Sequence, residues 1–348
     1  MSRISVPDQA RNEMLVERVS RRVDRGEVMR TFWFRSRALA ALAFACALLL
    51  TACGGATEQS GPKTHLTIGA LPILDDAPLF IAVQEGFFKQ EGLTVSTKIV
   101  AQSTQALPSL LHGDIDIISG GNYVSYFQGN ARGAFDVQVL AAASTCASDA
   151  FGVLTLPDSG VRTPADLAGK KIAVNLVNNV QTLLGDTLLK SSGIDTGGIH
   201  YVQIPFAEMD RALSAHQVDA ISVVEPFLSG AQHSGAVQVM SLCTGPTEKF
   251  PLSGYFATRD WVGKNPLAAR AFQRAMARAQ QVATDNRAAV ERIIPTYTAI
   301  GAQDAQRIRL GGYPVGTDAE QLQRVADLMK QGGMLDAPLD VRPLIYHP

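Results

Sequence analysis

The sequence predicts an α/β protein with largely parallel sheets, because short apolar runs alternate with runs of helical length from residue 65 onward. A weak internal repeat supports two similar lobes: 111–118 (LHGDIDII) recurs in outline as 214–221 (SAHQVDAI). The repeat aligns Asp116 with Asp219. The alternative interpretation is that any α/β unit carries such an outline.

The first half of the fold is predicted to alternate strictly between strand and helix. Pro78 stands in the first turn of its helix, where proline is tolerated, and Gly113 ends another helix. In chain order the elements are strand 65–71, helix 77–90, strand 94–100, helix 103–112, strand 115–118, helix 122–129 and strand 137–142.

A second set of elements follows and ends in a mostly helical region. Thr163 and Pro164 are typical of the N-cap and first turn of a short helix. Strands are predicted at 152–156, 171–175, 201–203, 220–224, 237–240 and 254–258. Helices are predicted at 180–191, 206–215, 226–233, 266–284, 288–297, 302–310 and 318–331, and 338–348 is predicted to be a covering tail.

The N-terminal region carries the features of a bacterial lipoprotein signal. Arginines at 30, 35 and 37 precede the apolar run 38–50, and small residues lead to Cys53. The alternative, a transmembrane helix, needs about 20 apolar residues, whereas this run has 13. We therefore expect a signal peptide at 29–52, with Cys53 carrying palmitate and other lipid as the new N-terminus.

The position of this signal predicts where translation starts. Residues 1–28 are polar and of mixed charge, whereas a signal starting at Met29 is well formed. We expect 1–28 not to be translated, and 53–64 to be a flexible tether. The protein would then be anchored by lipid on the extracytoplasmic face of the cell membrane.

Composition excludes several function classes. The formal net charge is −1 and no basic stripe is present, so we expect no nucleic-acid partner. The six histidines are scattered without metal-ligand spacing, and neither a G-x-S-x-G elbow, a P-loop nor an H-E-x-x-H motif occurs. We expect no metal, no cofactor and no enzyme activity. In an oxidising location Cys146 and Cys243 are either paired or two buried free thiols.

Four stretches carry a family resemblance: 78–95 (PLFIAVQEGFFKQEGLTV), 107–121 (LPSLLHGDIDIISGG), 161–174 (VRTPADLAGKKIAV) and 211–227 (RALSAHQVDAISVVEPF). They resemble the periplasmic solute-binding proteins of ABC importers, in the group that takes sulfonates, taurine, nitrate and thiamine precursors. The resemblance covers roughly 66–230 and thins to a pattern of helices beyond it.

The resemblance implies a two-lobed periplasmic binding protein fold, type II-like, with two hinge crossover strands. Lobe 1 would comprise 65–145 plus 250–348, and lobe 2 would comprise 146–249. The crossovers would lie near 143–151 and 242–255. Each crossover then contains one cysteine, so a Cys146–Cys243 disulfide is predicted at the hinge. The implied partners are a small-molecule ligand and membrane permease subunits with a cytoplasmic ATPase, and the protein is expected to be a monomer.

Ligands of open α/β sheets bind at the carboxyl ends of the strands, and four loops occupy such positions. They are 72–77, 119–123, 176–182 and 225–227, and each opens a helix whose backbone N–H groups attract anions or carbonyl oxygens. Plain caps and turns are the alternative. The candidate ligand-binding residues are Asp75, Asp76, Ser119, Gly120, Asn122, Tyr123, Asn178, Asn179, Gln181, Thr182, Glu225 and Phe227.

The charged residues in these loops are all acidic: Asp75, Asp76 and Glu225. The missing Arg clamp favours a ligand with N–H donors or a positive group, although helix capping would also explain the two aspartates. Tyr123 and Phe227 are candidates for stacking on a flat ligand, or for ordinary packing.

The predicted function is capture of a small organic molecule by lobe closure and delivery to a permease, with a thiamine-precursor-like N-heterocycle as the favoured substrate. Taurine, alkanesulfonate or nitrate is the alternative substrate. A membrane-tethered ligand sensor is the alternative class. Relatives that synthesise a thiamine pyrimidine use a cysteine-rich motif that this sequence lacks.

Overall fold

The computed structural model describes residues 63–147 and 149–348. The predicted start at Met29, the signal peptide 29–52, the lipidated Cys53 and most of the tether 53–64 lie outside the described residues. Within the described ranges, no helix is both long and apolar enough to cross a membrane.

The first sheet has five strands in the order β2-β1-β3-β10-β4. The strand β10 runs antiparallel to both of its neighbours, while β1, β2 and β3 are parallel. Its strands are β1 (His65–Ala70), β2 (Thr94–Ile99), β3 (Ile117–Asn122), β4 (Val137–Thr145) and β10 (Pro251–Thr258).

The second sheet repeats this plan in the order β7-β6-β8-β5-β9, and here β5 is the antiparallel strand. Its strands are β5 (Phe151–Thr155), β6 (Lys171–Val174), β7 (His200–Gln203), β8 (Ala220–Val224) and β9 (Val237–Ser241). The predicted α/β class with largely parallel sheets is confirmed. We call the sheet of β1 with its helices the first lobe, and the sheet of β6 with its helices the second lobe.

The internal repeat corresponds to the same structural device in both lobes. The Asp116 carboxylate accepts a hydrogen bond of 2.8 Å from the backbone N–H of Thr67, and the Asp116 N–H donates to the carbonyl of Thr67 at 2.8 Å. Asp219 makes the same pair of bonds with Lys171, at 2.7 Å and 2.9 Å. Each aspartate therefore ties the start of one strand to the strand beside it.

The helices cover both sheets, and those after β10 pack against the first sheet and its helices. In the first half they are α1 (Ala77–Gln84), α2 (Phe87–Gln90), α3 (Leu107–His112) and α4 (Tyr123–Ala131). The second lobe has α5 (Val180–Ser191), α6 (Phe206–Ser214) and α7 (Phe227–His233). The C-terminal region has α8 (Arg259–Lys264), α9 (Pro266–Asp285), α10 (Arg287–Ile293), α11 (Ala302–Ala305) and α12 (Ala319–Gln331).

Several predicted elements differ from the structure, among them the helix 288–297, which ends at Ile293 and is followed by a 3-10 turn. The helix 77–90 is two helices, because Gly86 adopts φ +70 and interrupts it. The helix 302–310 ends at Ala305. The third strand continues to Asn122, so the Ser-Gly-Gly sequence is strand and not loop. The C-terminal tail does cover the first sheet, where Ile345 pairs with Val139.

Two segments connect the sheets, between β4 and β5 and between β9 and β10. They hydrogen bond to each other: the Cys146 N–H donates to the Phe250 carbonyl at 2.8 Å, and the Lys249 N–H donates to the Cys146 carbonyl at 3.0 Å. The sulfur atoms of Cys146 and Cys243 lie 2.12 Å apart and the Cα atoms 5.1 Å apart, which is bonding geometry.

Candidate functional site

A cavity of about 50 Å³ lies between the two sheets, where the carboxyl ends of their parallel strands meet. Half of its wall comes from the first lobe: Leu71, Ile73, Asp75, Ser103, Gly120, Asn122, Leu252 and Ser253. The other half comes from the second lobe: Phe151, Asn175, Leu176, Asn179, Val180, Gln181, Phe206 and Val224. Among the described residues that line this cavity, none is a lysine, an arginine or a histidine.

Asp75 is the acidic residue of the cavity wall. Its carboxylate accepts hydrogen bonds from the hydroxyl groups of Ser144 on β4 and Ser253 on β10. Burial raises the pKa of the Asp75 carboxyl, and the two serine hydroxyls partly offset that rise. The side chain keeps some accessible surface, since it borders the cavity.

Asp76 lies behind the cavity wall and is 0% exposed. Its carboxylate accepts a bond of 2.7 Å from the Leu71 N–H and a bond from the Ser119 hydroxyl. Burial raises the pKa of Asp76 to about 8, and the neighbouring charge of Asp75 adds to the rise. Asp76 does not cap α1 with its side chain, so it shapes the wall of the cavity without lining it.

The glycines at the end of β3 serve packing as well as the cavity. Gly120 lines the cavity with φ +65, and a Cβ there would lie 3.0 Å from the Asp76 carboxylate. A Cβ on Gly121 would lie 2.7 Å from the ring of Phe256. Of these two glycines, Gly120 is therefore the one at which the backbone can approach a ligand closely.

Two other candidates from this segment have different surroundings. The Asn122 side chain lines the cavity and caps α4 by accepting from the Ser125 N–H at 2.9 Å. Tyr123 is fully buried against Phe127 and Phe256, and its hydroxyl has no hydrogen-bond partner. Burial raises the pKa of Tyr123.

The second lobe contributes an amide network at the start of α5. Asn179 caps this helix by accepting from the Gln181 N–H at 2.9 Å. Gln181 accepts from the Asn175 N–H at 2.7 Å and donates to the Ser222 carbonyl at 2.5 Å. The Asn175 side-chain oxygen is buried without a donor.

Two of the predicted residues in the loop before α5 lie outside the cavity wall. Asn178 is exposed and has φ +55. Thr182 is buried, and its hydroxyl donates to the Asn179 carbonyl at 2.9 Å. Both belong to the turn and cap that hold Asn179 in place.

Glu225 and Phe227 lie away from the cavity. The Glu225 carboxylate is 0% exposed and accepts from the Ser229 hydroxyl at 2.7 Å and from the Arg309 N–H of the first lobe at 3.2 Å. Its carbonyl accepts from the Leu74 N–H at 3.1 Å. Burial raises the pKa of Glu225. Phe227 stacks on Phe206, with ring centroids 5.5 Å apart.

Glu225 therefore joins the lobes, and Gln102 does the same beside the cavity. The Gln102 amide donates to the Asn175 carbonyl at 2.5 Å, and its oxygen accepts from Gln203 at 3.3 Å. We call the contacts of Glu225 and Gln102 across the cleft the interlobe clasp.

Of the sixteen residues that line the cavity, five were predicted from the sequence and eleven were not. Gln102 and Ser103 precede α3, where polar residues suit any helix start. Ser253 lies in a strand of ordinary appearance, and only the antiparallel insertion of β10 brings it to Asp75. Asn175 lies directly before the predicted loop 176–182 and was missed by one position.

A family model described as NMT1/THI5 like matches residues 74–289, which include the cavity loops and most of both sheets. The chain belongs to the NMT1/THI5-like family. The predicted resemblance is thereby confirmed. Among residues 63–147 and 149–348, no group of three or more His, Cys, Asp or Glu side chains is placed to hold a metal ion.

Relatives of this NMT1/THI5-like chain include two that are named as binding proteins. The putative binding protein YtlA of Bacillus subtilis is 25% identical over 245 residues, covering 69% of this chain and 73% of YtlA. The nitrate/nitrite binding protein NrtA of a Nostoc species is 25% identical over 250 residues, covering 65% of this chain and 56% of that protein.

Solved structures confirm the periplasmic binding protein fold. The alkanesulfonate-binding protein SsuA from Xanthomonas axonopodis pv. citri, bound to MOPS, has a TM-score of 0.69 at 20% identity, covering 83% of this chain and all of that one. The nitrate-binding protein NrtA from Synechocystis has a TM-score of 0.67 at 17% identity, covering 82% and 86%. A Candida albicans protein described as having this generic fold has a TM-score of 0.66 at 16% identity, covering 82% and 96%.

Proposed function

We propose that this protein is the solute-binding component of an ABC importer, which captures a small organic molecule between its lobes and delivers it to a permease driven by an ATPase. The observation that carries the proposal is the cavity between the carboxyl ends of two sheets, bordered by hydrogen bonds from one lobe to the other. Relatives named as binding proteins support the same role. No bond is made or broken in such a cycle.

The favoured substrate is an N-heterocycle of the thiamine-precursor type, because the cavity presents a carboxylate and amide oxygens and no cationic side chain. The alternative is taurine, an alkanesulfonate or nitrate, which the names of SsuA and NrtA favour. Backbone N–H groups at helix starts would have to hold such an anion.

A ligand screen tests the proposal. Thermal unfolding of the full chain in detergent is measured with pyrimidines, thiamine, taurine, alkanesulfonates, nitrate and simple amines. A ligand of the closed state at 100 times its Kd should add about 2.7 kcal/mol to the unfolding free energy, seen as a rise in Tm of several degrees. No shift with any compound, in protein freed of carried-over ligand, would contradict the importer role and favour a sensor of another solute.

Two variants, one in the interlobe clasp and one in the cavity wall, can be compared for any compound that binds. Glu225→Ala removes an acceptor for Arg309 without touching the cavity, so it should weaken all ligands by one common factor, because fewer molecules are closed. Asp75→Asn changes the cavity wall and should alter the ranking of ligands. A changed ranking in Glu225→Ala would show that Glu225 contacts the ligand.

We further propose that lipid on Cys53 holds the protein on the outer face of the membrane, because of the apolar run and cysteine at 38–53. Cys53→Ala should release the protein from the membrane fraction, and the lipid mass on the N-terminal peptide should disappear. The Cys46→Ala variant, which changes a cysteine within the apolar run, is the control and should remain lipidated. Membrane retention of the Cys53→Ala protein would contradict the anchor.

A further inference from the structure

Each wall of the cavity carries a hydrogen-bond acceptor: the Asp75 carboxylate in the first lobe and the Asn175 side-chain oxygen in the second. We propose, on the basis that the cavity is the solute site, that it holds an amidinium-type group: a planar cation with N–H donors on opposite edges, one edge toward Asp75 and the other toward Asn175. Guanidinium, amidinium and protonated aminopyrimidine groups share this chemistry.

Asp75 supplies the negative charge of the first wall. The serine hydroxyls that contact it are neutral, and the residues that line the cavity bring no positive charge to it. Its other ionisable neighbours are all acids or phenols: Asp76, Tyr123, Tyr255, Tyr297 and Tyr313. A buried carboxylate is costly unless a partner compensates its charge, and a bound cation would provide that partner.

Asn175 supplies the neutral acceptor of the second wall. It is evidence for a ligand that does not depend on Asp75. Asn175 is 5% exposed, and no donor within residues 63–147 and 149–348 reaches its buried Oδ1 atom. Its backbone N–H and carbonyl are already used by Gln181 and Gln102. Nearly all buried polar atoms in proteins have a hydrogen-bond partner. We therefore expect a ligand in the cavity to donate a hydrogen bond to this oxygen.

The size of the cavity restricts the group further. A cavity of about 150 Å³ admits benzene, whereas this one measures about 50 Å³. A flat group of about four non-hydrogen atoms suits that space, and a larger ligand would place only its amidinium edge there. Bidentate N–H donors also match carboxylate geometry better than a point charge does.

Calorimetric titration of the full chain in detergent tests this assignment with three small probes. Acetamidinium is compared with acetamide, which has the same shape without the charge, and with tetramethylammonium, which has the charge without N–H donors. We expect acetamidinium to bind roughly tenfold to a hundredfold more tightly than either, the range for hydrogen bonds between charged groups. Its affinity should rise as pH increases through the raised pKa of Asp75, because the cation binds the ionised carboxylate.

Variants separate contact from folding. Asp75→Asn should abolish the preference for the cation and its pH dependence, and Asn175→Leu should weaken acetamidinium about tenfold. Asp304→Asn, an exposed acid outside this cavity, is the control and should bind as the wild type does. The affinities for acetamidinium and acetamide are compared on the wild-type protein. The test therefore remains valid even if a variant misfolds.

The outcomes distinguish the two proposals. Equal affinity for acetamide and acetamidinium, or tighter binding of taurine or nitrate, would overturn the amidinium assignment and leave the importer role standing. If acetamidinium does not bind and no compound of the earlier screen binds, both proposals fail.

Discussion

Replacing Cys146 and Cys243 together with alanine is expected to lower the free energy of unfolding by about 4–5 kcal/mol. The two residues are 97 positions apart, so a disulfide between them removes much of the conformational freedom of the unfolded chain. Urea unfolding followed by circular dichroism measures the loss. Engineered disulfides deliver less than chain-entropy models give, but this pair joins two segments that already hydrogen bond to each other.

The matched control for this effect is the wild-type protein under a reductant. It should lose about as much stability as the double variant, while the double variant itself should not respond to the reductant. Alkylation without reductant followed by mass measurement gives a direct answer as well. Two alkylated thiols on 146 and 243 would contradict the disulfide, and a stability loss under 1 kcal/mol would contradict its proposed contribution.

The features that could be predicted best from the sequence are those fixed by contacts with neighbouring residues or with the adjacent strand. The repeat around Asp116 and Asp219 correctly indicated two lobes of one plan, because each aspartate makes the same short-range tie between neighbouring strands. Asn179, predicted as a ligand-binding residue of the loop 176–182, lines the cavity and also caps α5. These features depend on contacts with the nearest strand or on the residues immediately following in the chain.

The roles of Glu225 and Phe227 could not be predicted because they depend on contacts with distant elements. Glu225 ends a strand beside a proline, where an acid suggests a ligand, yet Arg309 occupies its carboxylate from 84 positions away. Phe227 faces Phe206 and not the cavity. Periodicity and capping rules describe contacts between residues close in sequence. They do not predict which distant residue will contact Glu225 or Phe227.

Raising the pH from about 5 to 8 is expected to destabilise the folded protein through Asp76. The folded-state pKa of about 8 lies above the ordinary value of 3.8, so the folded protein holds a proton that the unfolded chain has released. Stability from this group is complete below pH 3.8 and is lost as pH rises through about 8. The slope for one proton is at most about 1.4 kcal/mol per pH unit.

Asp76→Asn should remove the part of this slope that Asp76 contributes, because asparagine stays neutral while its oxygen accepts from Leu71 and its amide donates to Ser119. The raised pKa values of Asp75 and Glu225 leave a smaller slope of the same sign. Urea unfolding at several pH values measures the difference between variant and wild type. Asp304→Asn, at an exposed position, is the control and should keep the slope. Parallel pH profiles for Asp76→Asn and wild type would show that another group titrates.

Asp76 also links the stability of the fold to the chemistry of the cavity. It fixes the backbone of Leu71 and the hydroxyl of Ser119, and its ionisation places a second negative charge beside Asp75. A cation bound in the cavity would offset that charge, so ligand should protect the protein most at high pH. We therefore expect the Tm shift from acetamidinium to grow between pH 5 and 8 in wild type, and to grow less in Asp76→Asn. Equal growth in both proteins would assign the whole effect to Asp75.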